Sequence, residues 1–167
     1  TAAEKTKNDN RASGSTAAQL QGLGSAINIF TTKVTLASKE GIAYMGDNKG
    51  IINVGTTANN VKTTAVNYKS IIGFARDEGV VNIHGDIEAI DKNAAQNKFE
   101  NIAGLATKTA AGTAGGTVNI EDGSIKISGM AGFASGTGSV VNVNNGTANK
   151  IQTGENGALA AVDGGKV

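Results

Sequence analysis

The sequence predicts an all-β protein folded as a parallel β-helix (β-solenoid) of about five coils, each with three short strands. Three observations carry this. An apolar–Asn–apolar triplet occurs five times, as Ile27-Asn28-Ile29, Ile52-Asn53-Val54, Val81-Asn82-Ile83, Val118-Asn119-Ile120 and Val141-Asn142-Val143. Its central asparagines lie 25, 29, 37 and 23 residues apart, a period that belongs to stacked units. Residues 42–54 (IAYMGDNKGIINV) also align without a gap onto 71–83 (IIGFARDEGVVNI), and 130–143 (MAGFASGTGSVVNV) follows with one insertion. Finally, the chain has no Trp, two Tyr and four Phe. Its core must therefore be filled by Ile, Val, Leu and Ala, which suits thin stacked layers.

Residues 1–23 differ from the rest. Thr1 to Ser13 is polar and mixed in charge with no sustained periodicity, which predicts a flexible segment or a helix capping the end of the stack. Leu20-Gln21-Gly22-Leu23 also suits an earlier, incomplete unit. The repeat array is expected over residues 24–167. The chain begins with Thr, which reads as an excerpt or a processed product.

Within each unit the triplet is the first strand. A second strand alternates most clearly at Val34-Thr35-Leu36, Val66-Asn67-Tyr68 and Ile125-Lys126-Ile127, and more loosely around Ile87 to Ile90 and at Ile151. Such a period of two marks a half-buried strand. The third strand starts at Ile42, Ile71, Ile102, Met130 and Ala158. From there to the next Asn takes 11, 11, 17 and 12 residues, whereas the other half of each unit stretches from 11 to 20. Constant strands joined by elastic turns are the mark of a solenoid. The Leu-x-x-Leu-x-Leu frame of leucine-rich repeats and the GGxGxD of calcium-binding rolls are both absent.

Net charge is +1 and only 17% of residues are charged, so no nucleic-acid footprint is present. Without cysteine there are neither disulfides nor thiolate metal sites. No apolar run reaches the length of a membrane span.

In the triplets the flanking residues must point inward, so Asn28, Asn53, Asn82, Asn119 and Asn142 point outward. Asn is a poor strand former; its recurrence predicts a structural ladder of stacked amides, with a glycan-binding strip as the other reading. On the third strand, Ala43/Met45, Ile72/Phe74, Ala103/Leu105 and Ala131/Phe133 are expected in the core. The opposite parity holds Ile42, Ile71, Ile102 and Met130, a candidate apolar interface if the strands are straight. If each strand bends at the glycine that follows (Gly73, Gly104, Gly132), both rows turn inward at a corner, which is the reading we favour.

The single His84 shares its unit with Arg76, Asp77, Glu78, Glu88 and Asp91. Carboxylates on such a face can bind calcium or act as acid and base on polysaccharides. Here they fall in turns and form no facing pair in adjacent units, although Asp47 and Asp77 lie close in register. The expectation is no catalytic residue, no metal and no cofactor. Residues 91–101 suit a short helix capped by Asp91, residues 107–116 suit an outward loop, and Asn145-Gly146-Thr147 matches a glycosylation sequon.

The G-x-V-N-V triplets, the G-F-A strands and the Asn/Thr/Gly bias over residues 24–167 resemble passenger segments of large Gram-negative autotransporters. DNKGIINV (47–54) and TGSVVNV (137–143) look especially like fusobacterial adhesins and their vacuolating-toxin-like relatives. That resemblance implies a right-handed parallel β-helix, exported and anchored at the outer membrane through a barrel absent from this chain. It further implies a cell-surface adhesin or stalk, a host-cell or bacterial surface protein or glycan as partner, and no nucleic acid. A carbohydrate-active β-helix enzyme and a vacuolating-toxin segment are the alternatives.

Overall fold

The structure is a computed structural model describing residues 15–21, 25–37, 40–65, 69–90, 101–144, 150–153 and 159–167. The first coil holds β1 (Ser15–Gln21), β2 (Ala26–Ile29) and β3 (Lys33–Leu36). The second holds β4 (Gly41–Asp47), β5 (Ile51–Val54) and β6 (Lys62–Ala65), and the third β7 (Ser70–Arg76), β8 (Val80–His84) and β9 (Ile87–Ala89). The fourth has β10 (Ile102–Thr107), β11 (Thr117–Glu121) and β12 (Ile125–Ile127). The fifth has β13 (Met130–Ser135), β14 (Val140–Asn144) and β15 (Ile151–Gln152), after which β16 (Leu159–Val162) opens the next turn.

Each strand pairs, parallel, with its counterpart one coil away. Three sheets result: A, in the order β1-β4-β7-β10-β13-β16; B, β14-β11-β8-β5-β2; and C, β15-β12-β9-β6-β3. The fold is a parallel β-helix of about five coils. The register follows the repeats read from sequence: Asn28↔Asn53, Asn53↔Asn82, Asn82↔Asn119 and Asn119↔Asn142 are all direct partners.

The array begins earlier than residue 24. Ser15–Gln21 pairs with Gly41–Asp47 over its whole length, and this backbone ladder makes it a strand despite its polar composition. Residues 1–14 and 22–24 lie outside the described residues, as do residues 91–100 of the helix expected at 91–101, the Val66-Asn67-Tyr68 strand, Ala158 and the sequon.

Sheets A and B turn into one another through left-handed residues, such as Asn48 and Lys49 (φ 47 and 66) or Asp77 and Glu78 (φ 49 and 64). In both turns the amide of the following glycine returns to the last strand carbonyl, Gly50 N to Asp47 O and Gly79 N to Arg76 O, each at 2.9 Å. Short polar residues and glycine suit such turns.

The interior is a set of columns. Sheet B contributes Ile52, Val81, Val118 and Val141, with Val54, Ile83 and Ile120 two residues on. Sheet C contributes Ile87 and Ile125, and sheet A mostly alanine: Ala43, Ala103 and Ala131, then Ala75, Ala106 and Ala134. Small side chains on one wall leave room for branched ones from the other two. Each fully buried Ile or Val stabilises by about 1.5–3 kcal/mol. The second coil departs from this scheme. Tyr44 stands in register with Gly73, and its hydroxyl meets Thr63 Oγ1, which replaces the Ile87 of the next coil, at 2.8 Å in the core.

The third-strand expectation requires a correction. The residue before the glycine, the glycine itself and the alanine two residues on face the core, and the two apolar rows do not. A Cβ placed on Gly73 would meet Val118 Cγ1 at 3.0 Å and Ile83 Cδ1 at 3.1 Å, so Gly73 faces the core directly after Ile72. Two consecutive inward residues shift the alternation by one. Phe74, Leu105 and Phe133 are therefore only half-buried, and lie outside the core to which parity alone assigns them. Met45 is buried but belongs to the same outward row. Ile42, Ile71, Ile102 and Met130 do not turn inward either; they too stay half-buried and outside the core.

Candidate functional site

Three surfaces bear side chains of chemical interest. On the outer face of sheet B, pairing one coil above another brings the five asparagines into one row. Asn53 Nδ2 donates to Asn28 Oδ1 (2.8 Å), Asn82 to Asn53 (2.8 Å), Asn119 to Asn82 (2.7 Å) and Asn142 to Asn119 (2.8 Å). Donor and acceptor of each interior amide are thus both used along the row. This geometry makes the row a structural ladder, and each interior amide keeps a second N–H and a second lone pair beyond the rungs.

On the outer face of sheet A, the bend leaves two apolar rows side by side. One is Ile42, Ile71, Ile102 and Met130, directly paired coil to coil. The other is Met45, Phe74, Leu105 and Phe133. Arg76 borders the second row, its guanidinium 6.0 Å from the Phe74 ring centroid. That guanidinium is held by Asp47, with Nε donating to Oδ1 at 3.1 Å, and this partner holds its proton more firmly than usual. Asp47 is thus paired with Arg76, its direct neighbour in register. Asp77 turns to the backbone amide and hydroxyl of Thr109 at 2.8 and 2.7 Å.

Among the described residues, the remaining carboxylates of the third coil are also bonded, Asp86 Oδ1 accepting from Ser124 N at 2.8 Å. Glu78 accepts from Thr113 Oγ1 at 2.6 Å, which together with Lys49 holds its carboxyl below the usual range. Glu88 meets Lys62 Nζ at 2.8 Å on the outer face of sheet C, and the bond lowers its pKa. Residues 107–116 fold back over the coil, with Gly116 N bonded to Thr107 O at 3.0 Å.

The third surface involves residues that sequence reading left apart. His84 is the last residue of β8 and pairs directly with Glu121, the last residue of β11. Alternation would send the next residue, Asp122, inward. Its left-handed backbone (φ 57) instead brings its carboxylate beneath the imidazole. His84 Nδ1 lies 2.9 Å from Asp122 Oδ2 and 3.8 Å from Glu121 Oε2. The loop after β5 helps fix this arrangement, since Asn60 Nδ2 donates to the Asp122 carbonyl at 2.8 Å. Hydrogen bonds from His84 and then Thr57 hold the Asp122 carboxyl below the usual range.

The described charges of His84's own coil bond elsewhere. Its partners come from the next coil, 37 and 38 residues along the chain. Sequence did hold the signal: once Asn82 stands over Asn119, His84 necessarily stands over Glu121.

No family model matches the chain, and no curated protein or solved structure is significantly similar to it.

Proposed function

We propose that this chain is part of the passenger of a cell-surface autotransporter, acting as an adhesin or a rigid stalk and not as an enzyme. The observation that carries this reading is the outer face of sheet A. Two uncharged apolar rows run in register across four coils, half-buried on the outer side apart from the buried Met45. Apolar side chains aligned over several coils suit contact with another surface. The partner would be a host-cell or bacterial surface protein or glycan, and the outer-membrane anchor a barrel elsewhere in the parent chain. Strand pairing between successive coils also suits a chain that folds progressively after crossing a membrane. Resemblance to autotransporter passengers supplies the cellular setting.

The test is surface labelling of intact source cells with an antibody raised against this chain, followed by sizing of the labelled polypeptide. A large, surface-accessible species in the outer-membrane fraction is expected, and Ile71→Lys with Ile102→Lys should abolish cell attachment. A small soluble species without surface labelling would overturn the reading.

A further inference from the structure

We propose that His84, Glu121 and Asp122 form a binding site for a divalent transition-metal ion, with Zn2+ as the ion whose chemistry they fit. One imidazole and two carboxylates present one ligand atom each, all within 4.8 Å of one another. A tetrahedral ion with bonds of 2.0–2.2 Å sets its ligands about 3.4 Å apart. The separations of 2.9 and 3.8 Å from His84 Nδ1 bracket that value, so small rotations of the half-buried carboxylates complete the triangle. A fourth position remains for water.

Two features make this more than a chance meeting of charges. The ligands sit on a preformed frame, since the β8–β11 ladder fixes His84 beside Glu121 and the left-handed turn fixes Asp122 below them. They also have the right composition. An imidazole with two carboxylates suits Zn2+ and its first-row neighbours, whereas Ca2+ and Mg2+ prefer six or more oxygens. His84 is half-buried, leaving the ion one open side. The assignment is independent of the adhesive surface, which lies on another sheet.

The test is calorimetric titration of the folded protein with ZnCl2, with CaCl2 and MgCl2 as comparisons. One Zn2+ per chain is expected, with no binding of the other two ions at the same concentrations. His84→Gln, Glu121→Gln and Asp122→Asn should each weaken binding at least about tenfold. Asn tolerates the left-handed turn, so Asp122→Asn keeps the backbone intact. His84 is the only histidine in the chain, so its ring proton resonances need no assignment. They should shift with substoichiometric Zn2+ and broaden with Co2+ in the unmodified protein, a readout that does not depend on any variant folding. Ring signals unmoved at saturating Zn2+ would overturn the proposal, as would Zn2+ binding that survives all three substitutions or Ca2+ binding as tightly as Zn2+.

Discussion

Replacing Asn82 by alanine removes the middle rung of the amide ladder. Its Nδ2 donates to Asn53 and its Oδ1 accepts from Asn119, so two side-chain bonds vanish and two neighbouring groups lose a partner. At about 1 kcal/mol net for each bond, Asn82→Ala should cost roughly 2 kcal/mol. Asn28 lies at the end of the row, is exposed, and takes part in a single bond as acceptor. Asn28→Ala should therefore cost at most about 1 kcal/mol. Asn53→Ala should match Asn82→Ala, but the two together should fall short of additivity by about 1 kcal/mol, because they share one bond. Urea unfolding followed by circular dichroism measures all four variants. Unchanged m-values are needed for the comparison, since coils whose strands pair only with the next coil can unfold separately. Equal costs at the middle and the end of the row would refute the ladder as a source of stability, and so would full additivity of the double variant.

Other expectations test the core. Tyr44→Phe strands Thr63 Oγ1 in the interior and should cost about 1–2 kcal/mol, with Tyr44→Phe/Thr63→Val recovering part of the loss in a thermal melt. Burial holds the Tyr44 hydroxyl well above its ordinary pKa of 10, against a smaller opposing effect from the Thr63 bond. The unfolded phenol ionises first, so this stability is intact below about pH 10 and falls above it by up to about 1.4 kcal/mol per pH unit. Urea unfolding from about pH 9 to 12 should show that decline lessened in Tyr44→Phe. Ile72→Ala should cost about 2–5 kcal/mol, and Phe74→Ala only about 1 kcal/mol because its ring is half-buried on the outer face; the reverse order in urea unfolding would restore strict alternation. Gly85 has φ 132, and a Cβ there would lie 2.4 Å from the Val61 carbonyl oxygen. Gly85→Ala should therefore cost at least about 2 kcal/mol in the same assay.

Register was the legible part of this fold. Asn53 over Asn82, and the gapless match of 42–54 to 71–83, set sheets A and B before any coordinate was known. Legibility failed where a side chain broke its column. The paired strand of the second coil is Lys62–Ala65, yet its first inward residue is Thr63, whose hydroxyl is bonded to Tyr44 from another sheet. A polar residue in a core position erases the alternation that marks a strand. At Ile72-Gly73 a local bend reversed the parity of everything downstream, which no binary pattern records. The His84 cluster was hidden for a third reason. Its members belong to different coils, and Asp122 reaches the imidazole only because its backbone turns left-handed, a conformation that residue type does not dictate.

The sense of the side-chain bonds on sheet B has a consequence for the electrical character of the rod. All four recorded amide bonds point from the higher-numbered residue to the lower. The amide dipoles therefore add along the axis, as peptide dipoles add along a helix, and each polarises the next. Among the described residues, Asn28 Nδ2 at one end has no acceptor and Asn142 Oδ1 at the other has no donor. The row thus carries partial positive charge at the β2 end and partial negative charge at the β14 end. An uncharged row acquires a polarity, and a coil added at either end must follow the same sense to extend it.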